Sequence, residues 1–156
     1  MRNIEKIFVH CTGSQCGTSV QSILGVFKAM GWKNPGYHYL VDAEGTVHRL
    51  LGLDKVANGV RGHNATSVHV AYIGGLTASG KAADTRTAAQ RDALRRLLAD
   101  LRRRYPHAAI MGHRDISPDL DGNGKIESNE YESLVRPLTS IVRSPFVVTV
   151  PQFFMI

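Results

Sequence analysis

Apolar positions change their spacing several times along the chain, and each change marks an element. "IEKIFVHC" (residues 4–11) is dense in branched and aromatic side chains and predicts a strand ending at His10. In "TSVQSILGVFKAMG", Ile23, Phe27 and Met30 recur at helical spacing on one face. Thr18 and Gln21 have the spacing of a capping box there, and Gly31 is a stop signal. "YHYLVDAEGTVHRL" reads as a hairpin, two apolar-rich runs around an Asp-Ala-Glu-Gly turn. "SVHVAYIGG" predicts a central strand ended by paired glycines. "TAAQRDALRRLLADLRRRY" predicts the longest helix, with a second capping box at Thr87 and Gln90 and a stripe of Leu94, Leu97, Leu98, Leu101 and Tyr105. "HAAIMGH" reads as a short buried strand delivering His113 to its end. Interleaved strands and helices give an α/β domain, a sheet with helices packed against it.

At 156 residues the chain suits one domain with a proper core. No apolar run approaches the roughly 18 residues of a membrane span. The opening "MRNIEKIFVH" sets an acid beside its bases and has too short an apolar run for a secretory signal, so synthesis in the cytoplasm is expected, with any export by another route. The net charge of +6 favours polyanions, either nucleic acid or an acidic polymer such as a bacterial wall. Much of the excess sits in "RRLLADLRRRY", which reads as a solvated helix face. No aromatics interleave there as a single-strand binder needs, so nucleic acid is not an expected partner. Cys11 and Cys16 could close a small loop but are expected as free thiols.

The stretch "GHRDISPDLDGNGKIESNEYE" carries two kinds of metal chemistry. From Asp119, the ligand positions of an EF-hand loop fall on Asp119, Asp121, Asn123, Lys125, Glu127 and Glu130. Oxygens at alternate positions wrap a hard cation, Gly124 allows the sharp turn, Lys125 offers its backbone carbonyl and Glu130 closes the shell bidentately. Ser117-Pro118 leads in directly, without a preceding helix. The expectation is one structural Ca2+ in an inserted loop, residues 119–130, against the plainer reading of an acidic turn.

Of seven histidines, His38, His48, His63, His69 and His107 read individually as surface or hydrogen-bonded residues. His10 and His113 differ, because each ends a predicted strand beside a polar turn. Two imidazoles meeting across neighbouring strands suit zinc, with room for a third ligand and a water.

Five blocks give that pair a context: "IFVHCTGS", "GWKNPGYHYLVDAEGTVHRL", "NGVRGHNATSVHVAYIGG", "DTRTAAQRDALRRLLADL" and "GHRDISPD". In this order, over about residues 4 to 131, they resemble the type-2 N-acetylmuramoyl-L-alanine amidases. That family includes phage lysozyme-type amidases and peptidoglycan recognition proteins. The resemblance implies a mixed central sheet flanked by helices, with zinc on His10 and His113. It implies hydrolysis of the amide between N-acetylmuramic acid and L-alanine, with peptidoglycan or a muropeptide as partner and the cell wall as place of action. It also implies a role for Tyr37 as hydrogen-bond donor to the oxyanion. Taken alone, Tyr37 reads as a hairpin aromatic packed at the sheet edge. His63 and Asn64 could line the muropeptide groove, though loop polarity explains them equally well.

The chain departs from the family pattern in two places. Where many relatives carry a central-strand glutamate this sequence has Ala71, as tyrosine-bearing members tolerate. Where the family supplies a third zinc ligand from a C-P-x-F-D segment, this chain has "SLVRPLTS". The DNA string TGT CCG TCC TTT GAC GTC A encodes Cys-Pro-Ser-Phe-Asp-Val. Read one base forward it encodes Val-Arg-Pro-Leu-Thr-Ser, which is Val135 to Ser140. The expected organisation is an amidase-like domain over 1–134 and an alternate-frame tail over 135–156. With two histidines alone, zinc binding is expected to weaken. A non-catalytic peptidoglycan-binding module and a calcium-braced interaction domain therefore stand beside the amidase reading.

Overall fold

The computed structural model describes residues 1–116, with the backbone alone at His113 and Arg114. The calcium-type positions from Asp119 to Glu130 and the segment 135–156 lie outside the described residues. The described elements are β1 (Lys6–Cys11), β2 (Ser14–Gln15), α1 (Val20–Ala29), β3 (Tyr39–Val41), β4 (Val47–Arg49), β5 (Ser67–Tyr72), β6 (Gly75–Leu76), α2 (Ala88–Arg104) and β7 (Ala109–Gly112). Short 3-10 turns at Asn64–Thr66 and His113–Ile116 precede β5 and follow β7.

Five strands form one mixed sheet in the order β4-β3-β5-β1-β7, and β2 pairs with β6 in a small second sheet. β1 runs parallel to both β5 and β7, β3 runs parallel to β5, and the β3–β4 hairpin is antiparallel. The hairpin turn is the expected Asp42-Ala43-Glu44-Gly45, closed by the Asp42 side chain, which accepts from the Glu44 and Thr46 N–H groups. β5 is central, and all six of its residues are buried.

Strand alternation splits the core into two layers. On one face Ile7, Val9, Cys11, Val68, Val70 and Tyr72 pack with Leu94, Leu98 and Leu101 of α2. On the other, Leu40, Ala71 and Ile73 pack with Ile23 and Phe27 of α1 and with Tyr37. Each buried leucine or isoleucine contributes about 1.5–3 kcal/mol of transfer free energy. Cys11 therefore faces α2 while its neighbour His10 faces the α1 side, as alternation requires, and neither Cys11 nor Cys16 is in a disulfide.

α2 carries its predicted stripe and begins with the Thr87–Gln90 capping box, while α1 buries Ile23 and Phe27 of its expected stripe and leaves Met30 half-buried as the C-cap. Gln90, fully buried, also donates to the Val41 and Ile73 carbonyls and so ties the helix start to the sheet. The exposed arginines of α2 are the solvated face expected of that run. For α1 the cap differs from expectation. Ser19, not Thr18, is the N-cap and accepts from the Ser22 N–H at 3.1 Å. The Thr18 N–H is already committed to the Gln15 carbonyl in the preceding turn, so the helix begins one residue later. Its C-terminus is a Schellman closure: Gly31 at φ 72° donates to the Lys28 carbonyl and Trp32 to that of Phe27. The accompanying apolar contact is the Phe27–Trp32 ring stack, 5.6 Å between centroids.

A second correction concerns β7, expected to be buried. Among the described residues it pairs with β1 alone, and its residues are exposed or half-buried. A strand with one neighbour buries fewer side chains than an inner strand, and the run "AAIM" could not reveal that position. At the other end of the sheet, the Arg2 guanidinium donates to the carbonyls of Leu53, Lys55, Asn64, Ala65 and Ser67, gathering the segment before β5 into one clamp.

Candidate active site

His10 sits near the carboxyl end of β1 with 3 % of its surface exposed. The register that pairs Val9 with Gly112 puts the backbone of His113 directly after β7 and beside His10. Tyr37 enters from the loop before β3. Its ring centroid lies 5.4 Å from that of His10 and 5.4 Å, edge-on, from that of Phe27. The glycine before it is sterically required, since a Cβ at Gly36 would stand 2.8 Å from Phe27 Cε1. Burial raises the Tyr37 phenol above its ordinary value, so it carries its proton at neutral pH and can donate.

Two further histidines stand behind His10. His69 of β5 is fully buried, with Nδ1 3.1 Å from His10 Nε2. Its ring lies between those of Phe8 (5.5 Å, 6°) and His38 (6.0 Å, 10°) in a near-parallel stack. The His69 N–H donates to His38 Nδ1 at 3.0 Å, and the His38 N–H donates to the His69 carbonyl at 2.8 Å. Since His38 Nδ1 accepts, its proton is on Nε2, which donates to the Lys55 carbonyl at 3.0 Å. Burial pushes the His38 pKa down to about 4, keeping the ring in this neutral tautomer.

The remaining expected residues are more scattered. His63 lies towards the start of β1, its Nδ1 accepting from Lys6 Nζ at 3.1 Å. The Asn64 side chain accepts from the Val60 N–H at 2.7 Å and so closes a turn. His48 binds Asp42 at 2.7 Å, and His107 is exposed. A cavity of about 340 Å³ at the start of α1 is lined by Cys16, Ser19, Gln21, Asp42 and His48, and does not include His10 or Tyr37.

A mixed sheet flanked by helices is what the sequence blocks implied, and comparison with known proteins agrees with that fold. Residues 1–127 match the Amidase_2 family, described as N-acetylmuramoyl-L-alanine amidase. The chain belongs to this amidase family. It is 38% identical over 115 residues to the endolysin of Klebsiella phage KP32, covering 72% of this chain and 76% of that one. Among solved structures, the Ph2119 endolysin of a Thermus scotoductus bacteriophage superposes with a TM-score of 0.65 at 25% identity, covering 85% of each chain. The human peptidoglycan recognition protein PGRP-IBETAC, in complex with glycosamyl muramyl pentapeptide, shares the fold, with a TM-score of 0.60 at 19% identity over 85% of this chain and 84% of that one.

The amidase match includes His10, Tyr37, His63, Asn64 and His113, and residues 135–156 lie beyond it. Sequence reading missed the grouping of His38 and His69 behind His10, having set both aside as individually hydrogen-bonded. One signal was available: "SVHVAYIGG" places a single imidazole in an otherwise apolar central strand, where a polar group is costly unless it is hydrogen-bonded. Among the described residues no helix is long and apolar enough to cross a membrane.

Proposed function

We propose that this amidase hydrolyses the bond between N-acetylmuramic acid and L-alanine in peptidoglycan, with zinc held by His10 and His113. The observation that carries the reading is the buried His10–Tyr37 pair, 5.4 Å between ring centroids, at the carboxyl end of a strand whose parallel neighbour leads into His113. A histidine near the end of one strand and another directly after its parallel neighbour are residue types that suit zinc. Zinc, when bound, supplies Lewis acidity and lowers the pKa of water to about 7. Tyr37 donates its hydroxyl proton in a hydrogen bond to the carbonyl oxygen as negative charge builds there. Water adds to the carbonyl carbon, the C–N bond breaks, and the proton leaves on the L-alanine nitrogen. His63 and Asn64 border the muropeptide, with the Asn64 side chain also closing its turn. Relatives titled endolysin and a fold neighbour titled as a muramyl-peptide complex support this substrate class.

In this reading residues 1–134 are the working domain, and Asp119, Asp121, Asn123, Lys125, Glu127 and Glu130 hold a structural Ca2+. The tail 135–156 is an alternate-frame product, and the protein reaches the wall by release or by a separate export route. The "SLVRPLTS" segment favours a second reading, a module that binds peptidoglycan without cutting it. Metal analysis, wall pull-down and loss of turbidity of a wall suspension decide between them. Zinc uptake and lysis, both lost in His10→Ala, support the amidase. Pull-down with no lysis in either protein refutes the catalytic reading.

A further inference from the structure

We infer that His69 is a positioning residue that fixes the ring of His10, accepting a hydrogen bond from His10 Nε2 and so directing the lone pair of Nδ1 to the metal. The inference rests on the zinc reading above and adds a residue to it. The proton on the 3.1 Å His10–His69 contact can lie on either ring. A neutral imidazole protonated on Nε2 carries its lone pair on Nδ1, whereas one accepting at Nε2 is protonated on Nδ1 and has no lone pair left for a ligand bond. Only donation from His10 to His69 is compatible with His10 as a ligand. Metal-bound histidines are ordinarily oriented in this way by an acceptor on the second nitrogen. Here an imidazole fills the place of the carboxylate or carbonyl.

The acceptor ring is held on several sides. Phe8 and His38 cover its two faces, and both backbone groups of His69 are bonded to His38. The Gly59 backbone presses on its edge, since a methyl at position 59 would stand 2.5 Å from His69 Cγ and nearer still to Nδ1. With Gly59 walling in that nitrogen on one side and His10 meeting it on another, Nδ1 is placed to accept from His10 and not to join the metal. His38, anchored to the Lys55 carbonyl, completes a relay from the loop to the ligand.

The test uses the full chain with His69→Gln, whose amide oxygen can accept from His10, and His69→Leu, which cannot. Zinc affinity is measured by chelator competition, and urea midpoints of the zinc-free proteins separate folding from binding. The expected result is a 10- to 100-fold loss of affinity in H69L with H69Q within about threefold of the parent, the loss typical of removing an orienting partner. Equal losses in the two variants, or none in either, overturn the inference. Long-range nitrogen–proton NMR of the zinc-free parent gives an independent reading. A proton on His10 Nε2 supports the assignment, and a proton on His10 Nδ1 overturns it. His69 Nδ1 responding to zinc as a ligand would overturn it too. Failure of the parent to take up zinc counts against the proposed function, while the zinc-free spectrum still decides the role of His69.

Discussion

Replacing Gly59 by alanine adds one methyl group at the point where the loop backbone meets His69. That methyl would stand 2.5 Å from His69 Cγ and 2.8 Å from the Gly36 carbonyl oxygen, so it is caught between a ring and a backbone. Neither side can yield cheaply. The ring is stacked between Phe8 and His38, and Gly36 is itself pressed against Phe27. Overpacking of this kind costs about 1–3 kcal/mol. For a chain of this length each kcal/mol lowers Tm by roughly 2–4 °C, so a fall of about 2–12 °C is expected. Gly17→Ala is the control: a Cβ there meets nothing within 4 Å and φ is not positive, so its melt should match the parent or rise slightly. Scanning calorimetry reads both. In an His69→Ala background the Gly59→Ala cost should shrink by about 1 kcal/mol or more, because neighbours in contact couple. A Gly59→Ala melt within about 1 °C of the parent, or a cost unchanged without the His69 ring, would refute the packing argument.

Three other expectations follow from the same geometry. His38 has a folded pKa of about 4 against 6.5 unfolded, so its contribution is complete above 6.5 and is lost as pH falls towards 4. Urea unfolding at pH 5 should show about 2 kcal/mol less stability than at pH 7.5 from this group, a difference that shrinks in His38→Gln. Asp84, held down by hydrogen bonds from Arg86, loses its share only further down, as pH falls through the acidic end of the carboxylate range. Tyr37→Phe removes the proposed oxyanion donor and should lower kcat about 100- to 1,000-fold with zinc content unchanged, measured on a soluble muropeptide. Arg2→Met withdraws a cation from five carbonyls, those of Leu53, Lys55, Asn64, Ala65 and Ser67. It should cost about 2–3 kcal/mol by chemical denaturation, since hydrogen bonds from charged donors each contribute about 1.5–3 kcal/mol and do not add fully.

What the sequence determined by itself was local. The leucine stripe and capping box of α2, the Asp42–Gly45 turn, the β5 run and the opposed directions of His10 and Cys11 all follow from relations within a few residues, where spacing and geometry are linked directly. His10 and Tyr37 were legible as site candidates through the blocks they occupy, but their 5.4 Å contact was not. That contact depends on the strand order β3-β5-β1, which no short-range pattern encodes. Tertiary structure likewise decided that Ser19 takes the cap once the Thr18 N–H is committed elsewhere, and that β7 has a single described neighbour. It also decided that His38 and His69, 31 residues apart, stack behind His10. Parallel pairing joins segments separated by a helix or a long loop. The identity of the side chains that meet there is set by register across the sheet, and periodicity within one segment carries no information about it.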